Sequence, residues 1–213
     1  MEYAIKVSGL VKSFGGKVVL NTVDVNFEKG KIHGIIGRNG SGKTLLLKSI
    51  CGFLIPDKGE IIVGGKKVGT EVEMPESTGI IIETPGFLPM YSGFRNLQIL
   101  SRIQKEADNE QIAAAIRAVG LDPESKKHVG KYSLGMRQRL AIAQSFMGGQ
   151  RILLLDEPMN GLDKLGLDEM RELFLEFRKQ GKTILIASHS AEDISILCDT
   201  VHEMDNGEIA RVL

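Results

Sequence analysis

The segment Gly37-Arg38-Asn39-Gly40-Ser41-Gly42-Lys43-Thr44 combines glycines with one lysine and one following hydroxyl. It fits the spacing G-x-x-x-x-G-K-[ST], and the chemistry served by that spacing is phosphate binding. Glycines let a loop turn sharply and aim successive backbone N–H groups at phosphate oxygens. A helix opening at the end of the loop adds partial positive charge. Lys43 is placed to reach β- and γ-phosphates, and the Thr44 hydroxyl to bind Mg²⁺.

A second segment complements the first. After Arg151, residues 152–155 form an apolar run that ends in Asp156, Glu157 and Pro158. Asp156, at the end of a buried strand, suits Mg²⁺ held through water near Thr44. Glu157 lies one residue further on and suits orienting or deprotonating an attacking water. A third segment, Tyr132-Ser133-Leu134-Gly135-Met136-Arg137, reads as a helix start with Ser133 at the N-cap and Gly135 in the first turn. A serine hydroxyl and helix N–H groups suit a γ-phosphate, although taken alone this is a capped amphipathic helix.

These residues need a frame. Short apolar runs at 32–36, 80–82, 152–155 and 183–188 read as strands of a mainly parallel sheet. A helix is expected from Thr44 to Ile50. Another spans 168–180, where Met170, Leu173, Phe174 and Phe177 recur at helical spacing. Ligands of open parallel sheets bind at the carboxyl ends of the strands, where both the loop and Asp156 fall. Residues 3–7, 18–25 and 60–63, bounded by Gly15-Gly16 and Gly64-Gly65, read as a small antiparallel sheet. Residues 84–149, including an alanine-rich run at 111–119, read as an inserted helical subdomain. The expected organisation is one α/β domain. Residues 1–83 and 150–213 form its core with the antiparallel β subdomain, and 84–149 form the helical part.

Composition limits the function. Lys plus Arg, 27, equals Asp plus Glu, 27, so no general basic surface holds nucleic acid. The hydrophobic fraction of 42% is that of a globular chain. No apolar run approaches the ~18–20 residues that cross a bilayer, and no signal peptide is visible. Two cysteines, Cys51 and Cys198, make no disulfide framework. A cytoplasmic protein is expected.

The ordered motifs resemble the nucleotide-binding subunit of an ABC transporter nearly end to end. Residues 37–44 resemble that family's Walker A and 152–157 its Walker B. Ser133, Leu134, Gly135, Met136 and Arg137 resemble the signature motif. Residues 160–163, ending in Asp163, resemble the D-loop, and His189 the switch histidine. Phe14 resembles the aromatic that stacks on adenine; by pattern alone it is equally a core aromatic. The resemblance implies a P-loop NTPase fold with a RecA-like parallel core, with ATP and Mg²⁺ as ligands. It also implies a head-to-tail pair of ATPase subunits, in which Ser133 and Gly135 of one complete the site of the other. A separate transmembrane permease is the implied partner, with peripheral attachment at the cytoplasmic face of the membrane.

Two motifs depart from the family pattern. The signature carries Met136 and Arg137, a variant similar to many exporter ATPases. The Q-loop glutamine is replaced by Glu83, which resembles the E-loop of lantibiotic self-protection exporters. Such a glutamate binds the metal directly, weakens ATP binding by repulsion, or is a tolerated near-isostere; the sequence leaves all three open. The apolar stretch 84–91 either seats a permease helix or packs inside the helical part. Arg137 and Arg139 are signature-helix partners or solvated charges. Cys198 with His202 is too small a set for zinc. The alternatives are a non-transport ABC ATPase or regulatory P-loop ATPase acting on a macromolecule, a small-molecule kinase, and a binding module without turnover. The kinase would account for the phosphate loop but not for the motifs that follow it in order.

Overall fold

β-Branched residues in alternation build two long strands, β1 (Tyr3–Phe14) and β2 (Lys17–Glu28). They meet at Gly15-Gly16, both left-handed (φ 55° and 81°), as a two-residue hairpin requires. The chain continues through β3 (Ile32–Ile36), α1 (Lys43–Ile50), β4 (Lys58–Val63), β5 (Lys66–Lys67) and β6 (Thr78–Ile81). Three helices follow: α2 (Gly93–Gln104), α3 (Asn109–Ala118) and α4 (Leu134–Phe146). The last third alternates: β7 (Ile152–Asp156), α5 (Lys164–Lys179), β8 (Thr183–Ala187), α6 (Ala191–Leu197), β9 (Thr200–Asp205) and β10 (Glu208–Arg211). These elements come from a computed structural model that describes residues 2–83, 86–104 and 107–213.

Strands β2-β1-β4-β5 form an antiparallel sheet. The second sheet has the order β10-β9-β3-β8-β7-β6; it is parallel except for β10, which runs antiparallel to β9. Both faces of this sheet are covered. Along β7, Leu153 and Leu155 join a core with α4 and α5, while Ile152 and Leu154 join one with α1 and the antiparallel sheet. A strand buried on both faces reads as an unbroken apolar run, which is why 152–155 stands out in the sequence.

Gly79 on β6 shows how closely the helices approach. A Cβ there would stand 1.6 Å from the Ser145 carbonyl oxygen, so α4 lies directly on this strand. All four expected core strands occur, with β6 starting two residues earlier than expected and β8 ending one residue earlier. The antiparallel strands run longer than expected because register shifts between β1 and β2 carry the pairing past local breaks in alternation.

Candidate functional site

The phosphate loop joins the end of β3 to the start of α1, under β9. A Cβ on Gly37 (φ 151°) would stand 2.2 Å from the Met204 carbonyl oxygen, so only glycine fits there. Gly42 is the N-cap of α1 and supplies no side-chain cap, which leaves first-turn N–H groups of the helix for a ligand. Lys43 is 7% exposed, and its Nζ donates to the carbonyls of Gly37 (2.7 Å) and Arg38 (3.1 Å). The Ser41 hydroxyl is buried without a hydrogen-bond partner among the described residues. An orphaned hydroxyl, an ammonium parked on carbonyls and an uncapped helix start fit a polyanion such as a nucleotide phosphate chain.

Thr44 Oγ1 donates to Asp156 Oδ2 at 2.6 Å, joining the start of α1 to the end of β7. Burial pushes the Asp156 carboxyl above the usual carboxylate range; the Thr44 bond opposes this, and neighbouring Glu157 adds to it. A cation would relieve that cost, and two hard oxygen donors suit Mg²⁺. Asn39, Gly40, Lys43, Thr44, Asp156 and Glu157 line a cavity of about 220 Å³ here. A larger cleft of about 470 Å³ runs along β6, but it lacks this convergence of hydroxyl, ammonium and carboxylates.

Glu157 turns out of β7 in the left-handed region (φ 49°) while its N–H donates to the Ala187 carbonyl at 2.8 Å. A non-glycine residue held there stores strain of order 1–3 kcal/mol, a cost that clusters at functional sites. The turn carries its carboxylate to His189, whose Nδ1 lies 2.8 Å from Oε1. Glu83 is also left-handed (φ 62°), but the structure holds it elsewhere: Lys48 Nζ lies 2.5 Å from its Oε1, and it does not line the cavity.

Ser133 caps α4, accepting from the Met136 N–H at 3.1 Å. Leu134 is exposed, and Gly135 lies against Gly161 so closely that a Cβ would stand 2.9 Å from its carbonyl oxygen. This helix tip therefore adjoins residues 160–163 and not the phosphate loop of its own chain. Asp163 caps α5, accepting from Gly166 at 2.9 Å. Arg137 Nη1 donates to the Tyr132 carbonyl at 2.8 Å; Arg139 binds the Val119 carbonyl (2.7 Å) and Glu169 (2.6 Å), so neither arginine is merely solvated. Phe14 is 49% exposed with Lys12 Nζ 5.5 Å from its ring centroid, which removes the core-aromatic reading. Cys198 ends α6 whereas His202 lies on β9, so the two do not share a helix.

Sequence reasoning missed Lys48 and Gln138. Lys48 follows Thr44 by one helical turn, a spacing that places both on one face of α1. Gln138 Nε2 donates to the Pro158 carbonyl at 2.9 Å, tying the signature helix to the segment after Glu157. No local pattern signals that bond.

Residues 20–160 match the family described as ABC transporter. The chain belongs to this ABC transporter family. It is 43% identical over 205 residues to an uncharacterized ABC transporter ATP-binding protein, YybJ, of Bacillus subtilis, covering 96% of this chain and 94% of that one. It is 37% identical to the bacitracin transport ATP-binding protein BcrA of Enterococcus faecalis, over 99% of this chain and 69% of the relative. It is 35% identical to the lantibiotic transport ATP-binding protein SrtF of Streptococcus pyogenes, over 96% and 88%. Among solved structures, cbiO1 of Clostridium perfringens, part of the ABC transporter complex cbiONQ, superposes with TM-score 0.84 at 27% identity, over 99% of this chain and 88% of that one. The fold is that of a P-loop NTPase cassette, and this ABC ATPase is an ATP-binding, ATP-hydrolysing transporter subunit. The kinase reading is set aside.

Proposed function

We propose that this ABC ATPase hydrolyses MgATP in a site shared by two cassettes and thereby powers export of a membrane-active peptide antibiotic through a separate permease. The observation that carries the shared site is the placement of the exposed Ser133 and the half-buried Gly135, beside residues 160–163 and away from the loop of their own chain. Lys43 leaves the Gly37 and Arg38 carbonyls to meet the β- and γ-phosphates. Thr44 and Asp156 hold Mg²⁺, which when bound neutralises charge on the phosphoryl oxygens. Glu157 orients the attacking water and accepts its proton, and His189 fixes that carboxylate and reaches the γ-phosphate. Phe14 stacks on adenine. The tip of α4 from a second cassette closes the site, with residues 84–149 moving as the unit that carries it. Asp163 ends the D-loop, 160–163, and caps the helix α5 that follows it in the same chain.

Among the described residues no helix is long and apolar enough to cross a membrane. In this proposal the permease is a separate chain, and the cassette docks at its cytoplasmic face. The cleft along β6, lined by Phe53, Met74, Ile82 and Gln144, is the docking groove. Phe53 and Ile55 are exposed at 57% and 74%, and Leu88, Met90 and Tyr91 are exposed just ahead of α2, which supports partner contact. Phe87 packs against the core instead, and Thr84 and Pro85 lie outside the described residues. Export of a peptide antibiotic is supported by the bacitracin and lantibiotic relatives and by Glu83. Deleting the gene should sensitise its host to bacitracin or a lantibiotic, and the wild-type copy, but not Glu157→Gln, should restore resistance. Unchanged inhibitory concentrations for both would refute the cargo class.

A further inference from the structure

Arg171 on α5 and Asp193 on α6 form the most enclosed ion pair among the described residues, 9% and 4% exposed. Arg171 Nε and Nη2 both donate to Asp193 Oδ1, at 2.9 and 2.6 Å. The same guanidinium meets Asp168 Oδ1 and Glu192 Oε1, each at 3.2 Å. Two motifs flank this pair. Helix α5 starts at Asp163, and α6 starts at its N-cap Ser190, directly after His189.

The His189 ring is 63% exposed, and among the described residues its one hydrogen bond is to Glu157. The position of the imidazole therefore depends on the backbone that carries it. That backbone enters a helix of only seven residues, too short to hold its own geometry. Asp193, three residues past the cap, ties it to α5. Helix α5 is in turn held from the other side, because Arg139 Nη2 on α4 lies 2.6 Å from Glu169. A buried pair of this kind does not slide, since separating it leaves an uncompensated charge on each side.

We infer that Arg171 and Asp193 are positioning residues for ATP hydrolysis: their buried pair fixes the start of α6 so that His189 meets Glu157. The inference rests on the site reading above. Neither residue touches nucleotide. Their loss lowers kcat while leaving nucleotide affinity in place, because the phosphate loop and Asp156 lie on other elements.

The test compares Arg171→Met, Asp193→Ala and the apolar double variant Arg171→Met/Asp193→Leu, with Glu157→Gln as reference. The double variant refills the buried volume without charge and guards against loss of folding. Expected are a melting temperature near the parent's for the double variant, a kcat lowered about tenfold or more, and affinity for a fluorescent ATP analogue within threefold. The ¹⁵N resonance of His189 Nδ1 should shift toward that of an unbonded imidazole. A folded double variant with parental kcat and an unmoved His189 signal, while Glu157→Gln is inactive, would overturn the clamp alone. Parental turnover in Glu157→Gln would overturn the site reading and the clamp together.

Discussion

His189 Nδ1 lies 2.8 Å from Glu157 Oε1, although 32 positions separate the two residues. Strands β7 and β8 are parallel neighbours, and each delivers its residue from the same end of the sheet. Catalysis of phosphoryl transfer is mainly positioning and charge neutralisation, so removing the ring should unlock the carboxylate without emptying the site. His189→Ala should lower kcat by about 10²-fold or more, the scale of a misplaced general base. The nucleotide Kd should barely move. Phosphate release and analogue binding, measured on one preparation, check this; a large loss of affinity would show that His189 mainly holds nucleotide.

Lys43→Ala removes the ammonium now parked on the Gly37 and Arg38 carbonyls. A hydrogen bond to a charged group contributes about 1.5–3 kcal/mol, so ATP affinity should fall roughly 10–100-fold. Calorimetry reads the change directly, and unchanged affinity would contradict the phosphate role.

Glu83 is held by Lys48 at 2.5 Å in place of a site on the Thr44–Asp156 pair. If the carboxylate swings to Mg²⁺ once nucleotide arrives, substitutions at the two ends of this ion pair have opposite effects. Glu83→Gln should raise the Mg²⁺ concentration for half-maximal turnover, and Lys48→Met, by freeing the carboxylate, should lower it. Identical Mg²⁺ dependence in both variants would mark Glu83 as a tolerated near-isostere.

Burial holds His202 at a pKa of about 4 against an ordinary 6.5, and its Nδ1 has no partner among the described residues. His33 and Arg211 face it and oppose its charging; burial lowers His33 too. Between those two values the unfolded chain binds more protons than the folded one, so stability falls as pH drops from 6.5 toward 4. His202 accounts for about 3 kcal/mol of that fall. The ring stands edge-on to Phe27 with centroids 5.3 Å apart, so His202→Phe fits the same space. Its melting temperature should depend less steeply on pH below 6.5; an unchanged slope would mean that His202 does not titrate with unfolding.

The features legible in the sequence are those whose information is local. The phosphate loop, β7 and the Ser133 cap are each written in consecutive residues, so spacing and apolar runs expose them. The partner of each side chain is not. Arg171 reads as one charge among many on α5, and nothing near it points to Asp193. Lys48 and Glu83 meet only because β6 delivers Glu83 beside α1. Strands β9 and β10 escape notice because Glu203, Asp205 and Glu208 break the apolar run, and their pairing comes from the hairpin at Asn206-Gly207. The extent of α4's contact with β6 is equally hidden, since Gly79 falls just ahead of the expected strand at 80–82 and only the placement of Ser145 above it shows the close approach.

The central claim is that one cassette supplies only part of the ATP site. The most direct test is the molar mass of Glu157→Gln by light scattering, with and without MgATP. The account predicts a monomer without nucleotide and a dimer with ATP that reverts when Ser133 is replaced by Arg. A Glu157→Gln cassette that stays monomeric with ATP saturated in its site would contradict it.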